Sequence, residues 1–144
     1  MNIFIGSDHR GWLLKNLAIT APISFPEDWK FVDCGPVERV ESYDYPESAH
    51  EVAKRVSEIE DSFGVLICGS GIGVAITANK TPGIRAATCR TVEDAFGTRS
   101  HNNANVVCIG ADVTDMNSAF NIIRTFINTP FEGGRHQRRV DMIE

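Results

Sequence analysis

A cysteine followed by three alternating glycines marks the stretch FGVLICGSGIGVAITANK, residues 63–80. Cys68 closes an apolar run, and Gly69, Gly71 and Gly73 come directly after it. Backbone N–H groups of such a turn can face an anion, and a helix that starts there adds the positive end of its dipole. A thiol in this position is favoured as the thiolate, which can act as a nucleophile or a base. The alternatives are a tight turn that needs small residues and an inert buried cysteine.

The common phosphate-binding and thiol-enzyme motifs do not fit this stretch. A P-loop needs G-x-x-x-x-G-K-[ST], and Lys80 lies too far downstream. The dinucleotide fingerprint G-x-G-x-x-G differs from the G-x-G-x-G found here. A thiol phosphatase would carry an arginine six residues after its cysteine, where this chain has Val74. A base or nucleophile beside an oxyanion or phosphate group remains the favoured interpretation.

Two further groups of polar residues could take part in chemistry. Asp8 and His9 follow the first apolar run directly and suit sugar hydroxyls or a phosphate, although Asp8 could instead cap the next helix. Arg135 and Arg139 are four residues apart, so they share one helical face and could clamp a phosphate or form a plain solvated surface.

The segment SHNNANV raises a question of position. His101 and Asn102 lie between a predicted helix and a predicted strand, a place that normally falls at the edge of the sheet opposite Cys68. His101 could be a helix-end histidine that interacts with the helix dipole. If it is catalytic, either the active site is completed across a subunit boundary or the helix ends nearer to the site.

Strand and helix patterns alternate five times along the chain. Apolar runs predict strands at residues 2–6, 29–35, 63–68, 84–89 and 105–110. Helical periodicity and capping signals predict helices over residues 10–21, 45–60, 71–80, 91–101 and 116–129. The Pro-rich stretch 21–29 is predicted to be a surface connection. This pattern indicates a doubly wound parallel sheet, which binds ligands outside the carboxyl ends of its strands.

Composition narrows the class of protein. The chain has 144 residues, enough for one domain with a real core. A net charge of −5 argues against general nucleic-acid binding, and no apolar run approaches a membrane span. The N-terminus does not have the pattern of a signal peptide, so we expect a cytoplasmic protein whose four cysteines are reduced. No C-x-x-C pair is present, so a zinc site or redox motif is not expected.

Six motifs together resemble one known family. GSDHRG, DYP, CGSGIGVAITANK, GIRAA, HNNANV and FEGGRHQRRVDMI occur in the order typical of the ribose-5-phosphate isomerase B family, which includes the galactose-6-phosphate isomerase subunits. The resemblance runs from Asn2 to Ile143. It implies a Rossmann-like α/β/α sandwich of three layers around a five-stranded parallel sheet. It also implies one domain over residues 1–144, with a tail over 130–144 that reaches a neighbouring subunit of a homodimer or homotetramer.

The resemblance further implies an aldose–ketose isomerase of a phosphorylated sugar, without metal or cofactor. The base that moves a proton between C1 and C2 through an enediolate would be Cys68, and His101 with help from Asp8 would open the sugar ring. The oxyanion would be held by Ser70 and by the loop of Gly69, Gly71, Ile72 and Gly73. Hydroxyl groups would be bound by Asn102 and Asp8, and the phosphate by His9, Arg135 and Arg139.

Two departures from the family pattern bear on the substrate. Many relatives have alanine where this chain has Arg10, and many have a phosphate-binding arginine where it has Asp112. We expect Arg10 to compensate for the missing cation, with ribose 5-phosphate as substrate. The alternatives are a different aldose, a hexose 6-phosphate of the galactose or allose type, and a non-catalytic sugar-phosphate-binding module.

Overall fold

The computed structural model describes residues 1–21 and 25–144, and its elements follow the predicted alternation. The strands are β1 (Asn2–Ser7), β2 (Lys30–Asp33), β3 (Ser62–Cys68), β4 (Ala86–Thr88) and β5 (Val106–Gly110). The helices are α1 (Trp12–Thr20), α2 (Tyr45–Glu58), α3 (Ile72–Ala78), α4 (Val92–Asn102), α5 (Met116–Asn128) and α6 (Arg135–Asp141). No helix in the described part of the chain is both long and apolar enough to cross a membrane.

The strands form one parallel sheet in the order β2-β1-β3-β5-β4. Two apolar clusters cover its faces: residues of α1, α4 and α5 pack on one face, and residues of α2 and α3 pack on the other. The predicted Rossmann-like α/β/α sandwich is therefore confirmed. After β1 the chain moves towards one edge of the sheet, and after β3 it moves towards the other. The switch point lies between β1 and β3, where such sheets bind ligands.

Several local expectations are confirmed. Thr91 caps α4 through a capping box with Asp94, as its sequence pattern indicates. The apolar stripe of α5 is buried against the sheet, because its i, i+3, i+4, i+7 spacing places all of its members on one helical face.

Other expectations are wrong in detail. The fourth strand is shorter than predicted, since only residues 86–88 pair with β5. The stretch 21–29 is not wholly a surface connection: residues 22–24 lie outside the described residues, but Trp29 is buried and Phe25 stacks on it at 5.5 Å between ring centroids. Helical spacing places Val92, Ala95 and Phe96 together on α4 and predicts that all three are buried. Only Ala95 is buried, and Val92 and Phe96 are exposed.

Candidate active site

A cleft of about 530 Å³ lies at the switch point between β1 and β3. It brings together residues that follow both strands and the start of α3. Seven of the residues predicted from the sequence line it: Asp8, Arg10, Cys68, Gly69, Ser70, Ile72 and Gly73. The prediction that chemistry-bearing side chains meet at the carboxyl ends of these strands agrees with this geometry.

Cys68 is the last residue of β3 and lies at the base of the cleft. It pairs with Gly110 of the neighbouring strand and is only 4% exposed. The backbone N–H of Gly71 donates a hydrogen bond to Cys68 Sγ at 3.1 Å. The turn therefore places at the cleft a backbone donor that can stabilise negative charge developing on sulfur.

The other three cysteines are poor bases. Burial raises the pKa of Cys34 to about 11 and that of Cys89 to about 12, with the Asp94 carboxylate adding to the effect at Cys89. Burial also raises the pKa of Cys108, which lies fully inside the sheet. Each therefore stays a protonated thiol near neutral pH, which suits a structural role.

Two of the three alternating glycines, Gly71 and Gly73, lie too close to neighbouring atoms to carry a side chain. Gly71 has φ +77°, and a Cβ there would lie 2.9 Å from the carbonyl carbon of Ile109. A Cβ at Gly73 would lie 2.8 Å from the Tyr45 ring. The amide of Gly71 already binds Cys68, and the amide of Ile72 donates to Ser70 Oγ at 3.2 Å. Close packing thus explains the spacing, and two of the predicted anion donors also serve to hold the loop.

Asp8 joins the cleft to the start of α1. Its Oδ1 accepts hydrogen bonds from the amides of Arg10 and Gly11, at 2.9 and 3.0 Å. The backbone at Gly11 lies directly on β3, since a Cβ there would be 2.5 Å from the Ile67 carbonyl oxygen. One carboxylate oxygen therefore fixes the turn before α1, but the helix has Gly11 as its N-cap and no side-chain cap, so Asp8 does not cap it as the alternative proposed; the residue lines the cleft beside Cys68.

Arg10 and Asp112 form an ion pair across the cleft. Arg10 Nε lies 3.2 Å from Asp112 Oδ2, and both side chains are largely exposed. The pair sits over Gly69, where a Cβ would be 2.8 Å from that Asp112 oxygen and 3.2 Å from Arg10 Cδ. The two departures from the family pattern are therefore in direct contact. In the sequence they are linked only as a lost and a gained cation, because nothing in the chain between them indicates that they meet.

Two tyrosines add contacts that sequence reasoning missed. His9 Nδ1 lies 3.2 Å from the backbone nitrogen of Tyr43 and 3.3 Å from its carbonyl oxygen, so either tautomer of the ring can form a hydrogen bond with Tyr43. His9 is exposed near the cleft without lining it. Tyr45, quoted earlier only within the DYP motif, lines the cleft and packs its ring on Gly73. An aromatic residue directly after a predicted turn was the only indication in the sequence that Tyr45 could contact the cleft.

The second group of predicted residues lies at the opposite edge of the sheet. His101 and Asn102 end α4 just before the start of β5, whereas Cys68 pairs with the last residue of that strand. The two ends of β5 are separated by about 13 Å of strand. Within one chain, His101 and Asn102 are therefore not brought to Cys68. A single subunit therefore has His101 at the edge of the sheet opposite Cys68, as the sequence indicates.

Arg135 and Arg139 accompany His101 at this edge. Both lie on α6, whose ring of His136 stacks on His101 with 4.5 Å between centroids. Burial lowers the pKa of His136, and the charges of His101 and Arg135 lower it further. The sequence placed the two arginines on one helical face, and α6 confirms that they share a helix. The tail also contacts its own chain here, since the Glu132 amide donates to the Ser100 carbonyl at 3.0 Å.

A buried arginine holds the end of α4. Arg99 Nη1 donates to Asn103 Oδ1 at 2.7 Å and to the Ala104 carbonyl at 2.8 Å. Its guanidinium lies 5.0 Å from the centre of the Phe63 ring, and burial lowers its pKa. These contacts hold the backbone that follows His101 and Asn102, the last two residues of α4.

A larger cavity, of about 690 Å³, lies beside β4 and Asn102. Its lining includes Lys80, Arg85 and Glu144 but neither a thiol nor an imidazole. The smaller cleft at the switch point carries the base, the carboxylate and the glycine loop, so it is the candidate active site.

Ligand atoms that could hold a metal ion also occur away from the cleft. The fold brings His101, Glu132 and His136 together with their ligand atoms within 4.8 Å of one another. Sequence reasoning saw no metal-ligand cluster, because these residues are not joined by any short spacing motif and meet only through the packing of α6 on α4.

Comparison with known proteins agrees with this geometry. The ribose/galactose isomerase family model matches residues 3–143. A probable ribose-5-phosphate isomerase B from Mycoplasma genitalium is 41% identical over 143 residues, which cover 99% of this chain and 93% of the relative.

Solved structures are equally similar. Ribose 5-phosphate isomerase B from Anaplasma phagocytophilum has a TM-score of 0.91 and 40% identity, over 99% of this chain and 96% of that one. The Mycoplasma genitalium enzyme with bound ribulose-5-phosphate has a TM-score of 0.92 and 40% identity, over 99% and 93% of the two chains. The chain belongs to the ribose/galactose isomerase family.

Proposed function

We propose that the chain is an aldose–ketose isomerase that interconverts ribose 5-phosphate and ribulose 5-phosphate. The observation that carries the proposal is the Cys68 thiol at the switch-point cleft, with the Gly71 amide on its sulfur and Asp8 beside it. Family membership and the ribulose-5-phosphate bound to a relative support the substrate.

The proton transfer starts from the open-chain aldose. The Cys68 thiolate takes the proton from C2, the C2–H electron pair forms the C1–C2 double bond, and the charge moves to O1. The enediolate gives the O2 proton to O1, and the Cys68 thiol returns its proton to C1, which yields the ketose. Backbone amides of the Gly69–Gly73 loop would stabilise the charge on oxygen. The amides of Gly71 and Ile72 already bond within the loop, so the amides of Gly69, Ser70 and Gly73 would serve this role.

The substrate binds between two subunits in this proposal. His101 opens the sugar ring with help from Asp8, Asn102 binds a hydroxyl group, and the phosphate contacts His9. Arg135 and Arg139 supply the remaining phosphate contacts, which suits two guanidiniums four residues apart on α6.

The division of these residues between two edges of the sheet supports a homodimer, or a homotetramer built from such dimers. In a twofold dimer the Cys68 half of each subunit can meet the His101 half of its partner, which gives two complete sites. The tail over residues 130–144 carries the arginines and would therefore reach the neighbouring subunit. Exposed apolar side chains beside the edge strand β4 suit such a contact: Ile72, Ile76, Val92 and Phe96.

The base also indicates where the enzyme works. Cys68 can act only as a free thiol, and the other three cysteines are unpaired as well. A reducing compartment preserves thiols, so the cytoplasm is the proposed location.

A substrate panel tests the reaction. Pentose 5-phosphates, hexose 6-phosphates of the galactose and allose type, and the free sugars are each followed for aldose–ketose conversion. We expect ribose 5-phosphate to have the highest kcat/KM and the free sugars to have the lowest, because they lose the charge-assisted phosphate contacts. Higher kcat/KM on a hexose 6-phosphate would assign the chain to that substrate instead. Ligand binding without turnover of any sugar would favour the non-catalytic module.

Arg10 should act as a phosphate contact. Its Nε is held by Asp112, which leaves the terminal guanidinium nitrogens for an anion. Arg10→Ala should raise KM for ribose 5-phosphate about tenfold with little change in kcat, because it removes binding that substrate and transition state share. The ion pair itself is exposed and worth about 0–1 kcal/mol, so folding should not change measurably.

Steady-state kinetics with two further variants complete this test. Arg55 forms an exposed pair with Glu51 on α2, so Arg55→Ala is a matched control that should leave KM unchanged. Asp112→Asn should raise KM less than Arg10→Ala does, since it frees the guanidinium without removing it. An unchanged KM in Arg10→Ala would remove Arg10 from the phosphate site.

A further inference from the structure

Three side chains outside the cleft form a cluster of potential metal ligands. His101 ends α4, Glu132 precedes α6, and His136 lies on α6. Their ligand atoms all fall within 4.8 Å of one another. The proposed reaction uses His101 but gives no task to Glu132 or His136.

The Glu132 carboxylate lies near both imidazoles but forms a hydrogen bond with neither. Glu132 Oε2 lies 3.5 Å from His136 Nε2, and Glu132 Oε1 lies 4.0 Å from His101 Nε2. His136 is nine-tenths buried, and its Nε2 has no hydrogen-bond partner among the described residues. A buried polar nitrogen without a partner costs free energy, so its position calls for an explanation.

An ion of zinc size fits between these atoms. With metal–ligand bonds of about 2.0–2.2 Å and tetrahedral angles, two ligand atoms on one ion are about 3.3 Å apart. The observed separations of 3.5 and 4.0 Å therefore need to shorten by less than about 1 Å. The two rings stack within 17° of parallel, so one of them must turn for both in-plane nitrogen lone pairs to point at one ion.

The ligands are held by the backbone around them. The Glu132 amide binds the Ser100 carbonyl at 3.0 Å, and the His136 amide binds the Gly133 carbonyl at 3.0 Å. The first bond fixes the tail to α4 beside His101, and the second closes the turn from which α6 starts. Ligands carried by fixed elements lose little freedom when they bind an ion.

We propose that His101, Glu132 and His136 bind a divalent transition-metal ion of the Zn²⁺ or Co²⁺ class, with one coordination position open. Two imidazoles and a carboxylate are ligands that such ions prefer. Arg135 and Arg139 lie close enough to act electrostatically on His136, so they weaken cation binding.

The ion would act as an inhibitor. It occupies the Nε2 of His101, so that imidazole cannot transfer a proton in ring opening. This consequence rests on the proposed function, whereas binding of the ion does not. Dissociation of the metal would then restore activity, and a chelator would protect the enzyme.

Metal binding is tested first without any activity measurement. Purified full-length protein is titrated with Co²⁺ in phosphate-free buffer, and the visible d–d absorption of the bound ion is recorded, with Zn²⁺ competition as a second step. We expect one saturable site per chain. Glu132→Gln and His136→Gln should each weaken Co²⁺ binding at least about tenfold. Glu132 is half exposed, so its variant should fold even if the His136 variant does not.

Two controls locate the ion. His50 is an exposed histidine on α2, outside the cluster, so His50→Gln should leave Co²⁺ binding unchanged. Cys68→Ala removes the thiol of the cleft, and binding should persist in it. Loss of the site in Cys68→Ala with retention in Glu132→Gln would place the ion at the thiol and overturn the proposal. So would the absence of saturable binding in the wild-type chain.

Inhibition is tested second. Zn²⁺ should inhibit sugar isomerisation by the wild type, and Glu132→Gln should need at least about tenfold more Zn²⁺ for the same inhibition. Equal inhibition of the two proteins would overturn the regulatory part. If the wild type isomerises none of the sugars, the proposed function fails while the Co²⁺ titration still decides the metal site.

Discussion

Cys68→Ala should lose isomerase activity by about 10³-fold in kcat, within the range expected when a general base is removed. The variant keeps the cleft, because alanine fits where the sulfur lay and the turn is held by packing of its glycines. Binding of ribose 5-phosphate should therefore change little while exchange of the C2 proton with solvent deuterium stops. Activity is measured by aldose–ketose conversion, and exchange is measured by NMR.

The remaining thiols supply the controls for this result. Cys34→Ala should keep wild-type kcat. With its pKa raised to about 11, the Cys34 thiol is about one part in a thousand thiolate at pH 8, so iodoacetamide should modify Cys68 before it. Inactivation that tracks modification of Cys34, or turnover that survives in Cys68→Ala, would contradict the assignment of the base.

Mixing two inactive variants should restore activity. Cys68→Ala lacks the base and His101→Asn lacks the ring-opening group, so each homodimer should be impaired at least about 100-fold. After subunit exchange, half of the dimers are mixed, and each mixed dimer holds one intact site and one doubly defective site. The rate should therefore reach about a quarter of the wild-type value.

A second pair of variants distinguishes sharing from other effects of mixing. Asp8 and Cys68 belong to the same cleft, so Asp8→Asn mixed with Cys68→Ala should give no recovery. A mixture of the Cys68 and His101 variants that stays at the sum of its parts would exclude an active site shared between subunits.

The fold could be predicted from sequence because its signals are local. Continuous apolar runs mark β1, β3 and β5, and the stripe of α5 follows the helical period over about two and a half turns. Predictions fail where tertiary contacts override local pattern. Phe25 packs against Phe31 and Phe120, which no rule for a Pro-rich connection indicates. Lys15 is fully buried because Asp33 pairs with it at 2.6 Å, although a lysine in a helix normally faces water.

The site was predictable only in part, for the same reason. Cys68 and Asp8 follow strands directly, so the topology of a parallel sheet brings them together. The contact of Arg10 with Asp112, and that of His101 with Glu132, join residues far apart in the chain. Side chains that meet in this way leave no periodic signal, and only coordinates reveal them.

The close approach of main chain to main chain beneath Cys68 has a consequence for evolvability. A Cβ at Gly110 would lie 2.7 Å from the Ser70 carbonyl, and one at Gly11 would lie 2.5 Å from that of Ile67. No residue larger than glycine fits at these positions, so substitutions there are not tolerated. Tyr45, Asp112 and Val113 face the opening and are at least partly exposed. New sugar preferences in this lineage must therefore arise at the rim, while the proton-transfer machinery below stays unchanged.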